Sequence, residues 1–317
     1  MEDLKLIVKD AGNILIAGHR RPDGDCTGAC IAAYHYLKEN CPEKELTVYL
    51  EVMPEKFSFL DEEDDIVSHQ VPEGDFDLVI AVDSSTADCL GNAEAAFCKA
   101  KKTVCIDHHI SNASYAGQNF IDVSASSTCE VLYGMMEEEA VSKKIAEALY
   151  IGIIFDTGVF RHSNTSKKTM EIAGKLIEKG IPFQDFIDRC MYEKTYTQIQ
   201  LLGRTLLASM RVMDGKCIVA VITRRMMEFY GAKTEDIEGI IEHLRITKGV
   251  EVAILLHETG EQEYKVSMRS NHYIDVCKIA TFFNGGGHIK AAGCNMRGSV
   301  HDVINNLTEH IEAQMKG

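Results

Sequence analysis

The stretch NILIAGHRRPDGDCTGAC, residues 13–30, decides the fold. Its first six residues are an apolar run with β-branched side chains, of the length of one buried strand. Pro22 and Gly24 then mark a turn, and small residues at helical spacing follow from Cys26. A strand passing through a tight loop into a helix is the opening of a βαβ unit. The pattern recurs. ELTVYL (45–50), DLVIAVD (77–83) and KTVCID (102–107) are further apolar runs, while GACIAAYHYLKEN (28–40) and NAEAAFCKAKK (92–102) carry helical spacing. Strands alternating with helices predict a mostly parallel sheet covered on both faces.

Later segments extend the α/β reading. SSTCEVLYGMMEEEA (126–140), SKKIAEALYIGIIF (142–155) and SKKTMEIAGKLIEKG (166–180) read as helices, the last stopped by Gly180 and Pro182. DFIDRCMYEKTYTQIQLLGRTLLASM (185–210) has little turn chemistry and reads as a long helical connector. KCIVAVIT, VEVAILLHE and EYKVSMRS then read as strands of a smaller mixed α/β domain. The expected organisation is a domain over 1–185, a helical linker over 186–210 and a second domain over 211–317.

Composition narrows the class. The chain has 317 residues, 45% hydrophobic and 26% charged, as in an ordinary globular protein. No apolar run approaches the roughly 20 residues that cross a bilayer, and the start, MEDLKLIVKDAGN, is too polar and acidic for a secretory signal. A cytoplasmic protein without a membrane partner is the expectation. The eleven cysteines include no C-x-x-C pair, which disfavours zinc ribbons and thioredoxin-type centres. With 33 basic and 48 acidic residues the net charge is −15. Proteins that track long nucleic acid show a basic footprint instead, so an anionic substrate is expected to be short and gripped locally.

Four chemically dense clusters follow apolar segments. NILIAG leads into His19, Asp23 and Asp25; DLVIAV into Asp83; KTVCI into Asp107, His108 and His109; and the helix ending YIGIIF into Asp156. Residues beyond the carboxyl ends of parallel strands share one sheet edge, where ligands bind. Singly, each has a plainer reading: Asp23-Gly24 as a turn, Asp25 as cap of a helix near Cys26, Asp83 before Ser84 and Ser85 as another cap. Together they crowd carboxylates whose mutual repulsion opposes folding unless cations join them. Oxygen-rich ligation with a few imidazoles suits Mn²⁺ or Mg²⁺. Two such ions sharing a carboxylate activate water for in-line attack on phosphorus.

HRRPDGD, the aspartate of AVDSS, DHH at 107–109 and the aspartate of FDTG resemble the four motifs of the DHH phosphoesterase superfamily. RSNHYIDVCKIATFFNGGGHIKAAG (269–293) resembles the signature of its associated C-terminal domain. Within the superfamily the chain is similar to the bacterial two-domain type that joins oligoribonuclease activity to dephosphorylation of 3′-phosphoadenosine 5′-phosphate (pAp). The resemblance implies a dimanganese centre, with His19 and Asp23 on one ion, Asp25, His108 and Asp156 on the other, and Asp83 bridging. It further implies that Asp107 holds a histidine ring in its ligating tautomer, and that His109 faces the reacting phosphate without ligating. A homodimer follows by the same analogy.

The other dense signal is GGGHIKAAG (285–293). Gly285, Gly286 and Gly287 either make a plain turn or let backbone N–H groups approach an anion, aided by a helix N-terminus if one begins at His288. Arg269, Ser270 and Asn271 sit nearby in sequence pattern, and the resemblance assigns this segment to phosphate recognition. Arg161, after Asp156, reads either as a further cation for the substrate or as a surface ion-pair partner. His35, His69, His243, His257, His301 and His310 have no partner motif, and EKFSFLDEEDDIV (55–67) reads as a solvated acidic loop.

The expected function is hydrolysis of short oligoribonucleotides to nucleoside monophosphates, and of pAp to AMP and phosphate. The same machinery acting on cyclic di-AMP or on linear pApA is the alternative, and a nucleotide sensor without turnover is a third class. A RecJ-like exonuclease is disfavoured by the charge, and an inorganic pyrophosphatase by the GGGH segment. Absence of G-x-x-x-x-G-K-[ST] and G-x-S-x-G disfavours ATP-driven and serine-hydrolase chemistry.

Overall fold

In a computed structural model describing residues 2–61 and 66–316, the chain divides into two compact units after Glu193. The first contains six strands: β1 (Asn13–Ala17), β2 (Glu45–Tyr49), β3 (Val67–Ser68), β4 (Leu78–Val82), β5 (Lys102–Asp107) and β6 (Gln118–Ile121). All are parallel, in the order β3-β2-β1-β4-β5-β6. The order reverses between β1 and β4, which places a topological switch point at their carboxyl ends.

Alternation along each strand feeds two cores. Ile14 and Ile16 of β1 face the larger one, with the helices Gly24–Asn40 and Lys143–Asp156. Leu15 and Ala17 face a smaller one, closed by Leu90 and Phe97. The helices Gly24–Asn40 and Lys143–Asp156 pack so closely that a β-carbon on Gly28 would lie 2.3 Å from the Ala148 carbonyl oxygen. Backbone contact of that kind needs glycine.

The second unit also has six strands: β7 (Met210–Val212), β8 (Cys217–Ile222), β9 (Val252–Gly260), β10 (Glu263–Ser270), β11 (Gly286–His288) and β12 (Ala291–Arg297). They form a mixed sheet in the order β11-β12-β10-β9-β8-β7, in which β8 and β9 alone pair parallel. The helices Val276–Phe282 and Val300–Lys316 cover one face, and Tyr196–Leu207 and Ile240–Arg245 the other.

The stretch expected as one helical connector is broken. Phe183–Ile187 and a π-turn over Asp188–Tyr192 precede the division, and Tyr196–Leu207 follows it. The cause is a capping box: Thr195 Oγ1 accepts the Gln198 N–H at 3.2 Å, and Gln198 Oε1 accepts the Thr195 N–H at 3.0 Å. Leu201 is buried in the second unit's core, so this helix is part of that unit. In the acidic stretch 55–67, residues 55–60 form a 3₁₀ turn that buries Phe57; residues 62–65 lie outside the described residues. No described helix is long and apolar enough to cross a membrane.

Candidate active site

The opening loop is built from its own hydrogen bonds. Asp23 is extended, and its Oδ1 accepts the N–H groups of Asp25 (3.0 Å) and Cys26 (3.1 Å), so Asp23 caps a helix that starts at Gly24. Asp25 is therefore not the cap. It lies in the first turn, fully buried, and its carboxylate accepts from Thr128 N (2.6 Å, Oδ2) and Cys129 N (3.0 Å, Oδ1). These amides open the helix Thr128–Tyr133, so a helix N-terminus offsets the buried charge.

Asp83 follows β4 with φ +54, a left-handed conformation that aspartate tolerates better than most residues. Its N–H donates to the Ile106 carbonyl (3.0 Å) and its Oδ1 accepts from the Thr128 hydroxyl (2.9 Å). The residue that caps the next turn is Thr86, so the helix-cap reading of Asp83 fails. His19 Nε2 lies 3.5 Å from Asp83 Oδ2. His108 Nε2 lies 3.2 Å from Asp156 Oδ2, 3.8 Å from Asp83 Oδ1 and 4.0 Å from Asp25 Oδ2. Side chains from β1, β4, β5 and the end of a helix thus meet at one edge.

Asp107 is buried and saturated. Its Oδ1 accepts from His108 N (2.9 Å) and His109 Nδ1 (2.7 Å), and its Oδ2 accepts from Asn112 Nδ2 (2.7 Å). The ring it orients is that of His109, whereas the resemblance gave it a ligating histidine. The cause is local: the chain turns at 107–109 so that His109 Nδ1 falls back onto Asp107 while His108 Nε2 reaches toward Asp156. A cleft of about 360 Å³ opens here, lined by His19, Asp23, Asp83, His109 and Asp156 together with Arg20 and Arg21. Arg161 is exposed and does not line it.

The electrostatics register the crowding. Burial first, then the neighbouring Asp83 and Asp156, push the Asp25 carboxyl well above its ordinary range. Burial and Asp83 also raise Asp23. Burial disfavours the charged form of His19, but Asp83 and the Cys26 thiol outweigh it and push the imidazole up to about 11. Burial is likewise outweighed at His108, pushed up to about 10 by Asp156 and the other carboxylates. His109 is raised by its bond to Asp107; Asp107, despite burial, is lowered by His109 and Asn112. The cluster has an unmet demand for positive charge.

In the second unit, Arg269 and Gly285–Gly287 line a shallow cavity of about 440 Å³ with Lys265. The other expected contacts are elsewhere. Ser270 is buried, its hydroxyl donating to the Ile274 carbonyl (2.6 Å), and the Asn271 amide is bound to Arg245 and Val250. His288 is exposed, outside the cavity, and no helix begins there: Gly286–His288 is strand β11, hairpin-paired to β12.

Two family models match: DHH family, N-terminal domain, over residues 13–153, and DHHA1 domain over 214–317. The chain belongs to the DHH family of phosphoesterases. Its DHH and DHHA1 domains correspond to the two units. Among curated relatives, the bifunctional oligoribonuclease and PAP phosphatase NrnA of Thermus thermophilus is 28% identical, covering 90% of this chain and 85% of the relative. The protein of the same name from Bacillus subtilis is 27% identical, with 89% of each chain covered. A solved exopolyphosphatase-related protein of Bacteroides fragilis shares the fold, with a TM-score of 0.85 at 23% identity over 98% of this chain and 95% of that one.

The DHH-domain donors fit divalent cations. Asp25, His108 and Asp156 offer ligand atoms within 4.8 Å of one another, as do His19, Cys26 and Asp83, and also Asp83, His108 and His109. Asp83 joins two groups. The third includes His109, whose Nδ1 is committed to Asp107. Asp23 lines the cleft outside these groups, with Oδ1 occupied in capping. Sequence reasoning missed Thr128, Asn112, Arg20 and Arg21. The signal for Thr128 was SSTCE, a cap sequence directly before a helix; for Arg20 and Arg21 it was their place inside the opening loop.

Proposed function

We propose that this DHH phosphoesterase uses two divalent ions, Mn²⁺ in the first instance, to hydrolyse short oligoribonucleotides to nucleoside monophosphates and pAp to AMP and phosphate. The observation that carries the reading is Asp83, which stands between the His19 group and the His108 group. His19, Asp23 and Asp83 would hold one ion, and Asp25, His108, Asp156 and Asp83 the other. Bound there, such ions acidify water and neutralise phosphoryl oxygens. Thr128 and the amides at 128 and 129 fix Asp83 and Asp25 in place. Asp107 fixes His109 with Nδ1–H toward the carboxylate, which leaves Nε2 to the substrate. The bond to Asp107 raises the basicity of that ring and favours its protonated form, which balances charge on the phosphate or passes a proton to the leaving oxygen. The DHHA1 domain contributes recognition through Arg269, Lys265 and the backbone of Gly285–Gly287. The names borne by the Thermus and Bacillus relatives support the substrate class.

Purified protein with Mn²⁺, offered pApA, pAp, cyclic di-AMP, a 24-mer RNA and pyrophosphate side by side, tests it. AMP from pApA and phosphate from pAp are expected, lost in chelator and restored by Mn²⁺. Preference for the 24-mer or pyrophosphate overturns the assignment, and cleavage of cyclic di-AMP alone replaces it with a cyclic-dinucleotide phosphodiesterase.

A further inference from the structure

The chain leaves Asp156 on a strained path. Asp156 ends the helix Lys143–Asp156, and the next turn holds Gly158, Val159 and Phe160 at φ +55, +56 and +63. Glycine takes this left-handed conformation freely, whereas valine, branched at Cβ, and bulky phenylalanine take it at a cost. Such a run persists only where its surroundings over-determine it, and strain of this kind gathers at functional sites. The surroundings do so here. The Phe160 ring packs on the larger core beside Tyr150. The Thr157 hydroxyl donates to the Ile153 carbonyl (2.6 Å) and accepts the Phe160 N–H (3.0 Å). Asn164 then returns to the start of the turn.

Asn164 Nδ2 donates to the main-chain carbonyls of Asp156 (3.2 Å) and Ser126 (2.9 Å). Both amide protons are used. These carbonyls belong to the two supports of the His108-side ligands. Asp156 places its Oδ2 3.2 Å from His108 Nε2. Ser126 is buried, with its N–H and hydroxyl bound to Glu130. It lies just before Thr128, whose N–H and hydroxyl hold Asp25 and Asp83. One amide therefore ties the helix end that carries Asp156 to the segment that orients the other carboxylates. His162 Nδ1 also donates to the Asp156 carbonyl (3.1 Å), but among the described residues it makes no such tie to the 126 segment. Asn164 is exposed, and a hydrogen bond open to water adds little to stability, so holding the fold together accounts poorly for this arrangement.

We propose that Asn164 is a positioning residue for the ion held by Asp25, His108 and Asp156. By tying Asp156 to Ser126 it fixes the spacing of these ligands and keeps the strained turn from relaxing away from them. The inference rests on the two-ion reading and assigns this residue to one ion of the pair.

Mn²⁺ binding without substrate tests this. The metal-free full chain is titrated with Mn²⁺, and the free ion is read from its paramagnetic resonance signal. The parent binds two ions, and Asp156→Ala shows which binding class belongs to His108. In Asn164→Ala that class weakens about tenfold, the low end of the usual cost of deleting a partner that orients a ligand, while the other class stays as in the parent. His162→Ala removes a donor from the same carbonyl but keeps the tie, and leaves both classes as they were. Ile172→Val, a core substitution in the same unit, controls for general loss of stability and leaves both unchanged too. If Asn164→Ala fails to fold, Asn164→Gln, which keeps both donors but one methylene further out, is read in its place and weakens the same class. Unchanged affinity of the His108 class, equal weakening of both ions, or a matching loss in His162→Ala or Ile172→Val overturns the proposal. A parent that binds one ion removes the two-ion reading, and the effect of Asn164→Ala on that ion still decides this one.

Discussion

Asp83 concentrates the chemistry of the DHH domain in one side chain. Its left-handed backbone turns the carboxylate into the cleft, one oxygen bound to the Thr128 hydroxyl and near His108, the other near His19. Asp83→Ala is expected to abolish turnover and to lower Mn²⁺ binding in equilibrium dialysis; near-normal activity would remove the bridging role. Asp107 gives the contrasting case. It touches His109 rather than any proposed ligand ring, so Asp107→Asn should lower kcat about 10²-fold or more by removing the charge that orients the His109 ring and raises its basicity. Mn²⁺ content should be unchanged, and a parallel loss of metal would make Asp107 a support for the ions. Thr128→Val removes a single hydrogen bond to Asp83 at nearly constant volume. Metal affinity should fall 10- to 100-fold, about the usual cost of deleting a partner that orients a ligand, and equal metal affinity in the two proteins would refute it.

The DHHA1 hairpin separates packing from recognition within three glycines. A β-carbon on Gly285 would lie 2.2 Å from the Gly293 carbonyl oxygen, a collision with backbone, whereas one on Gly286 meets nothing within 4 Å. Gly285→Ala should therefore lower the melting temperature. Gly286→Ala should melt like the parent and yet raise KM for pApA, because Gly286 lines the cavity that Arg269 shares and the added methyl has open space around it. An unchanged KM would reduce the motif to a turn. The sequence announced the glycines but not this division, since three identical residues carry no register until a partner strand supplies one. Other elements were legible for a physical reason. The runs at 14–17, 78–82 and 104–106 are buried on both faces and hence continuously apolar, and the chemistry follows them because strand ends in a parallel sheet share an edge. Hidden from the pattern were contacts made across long separations. Thr128 meets Asp83 45 residues away, and Arg245 meets Asn271 26 residues away. The break at 193–195 was readable in T-Y-T-Q, a capping box that helical continuity obscured.

For the whole molecule the governing quantity is the net charge of −15. Local cations offset it only in places: Arg20 and Arg21 in the DHH cleft, Arg245, Lys265 and Arg269 in the DHHA1 domain. A short nucleotide held at either place lies near such cations. A 24-mer also meets the acidic remainder, and that repulsion acts over longer distances than the contacts do. Salt screens the long-range part most, with a Debye length near 10 Å at 0.1 M against about 30 Å at 0.01 M. Raising NaCl through that range should weaken pApA modestly by competing with its few phosphate contacts. For the 24-mer it relieves repulsion as well, so the ratio of KM for the 24-mer to KM for pApA should fall. Proteins that bind polynucleotides along a basic track behave oppositely, because each neutralised phosphate releases counterions and long substrates lose most. The two KM values, measured in parallel at several NaCl concentrations with Mn²⁺ fixed, give the sign directly. A ratio that rises with salt would mean that the long strand finds a continuous basic path on this surface, and the restriction to short substrates would then need a steric cause.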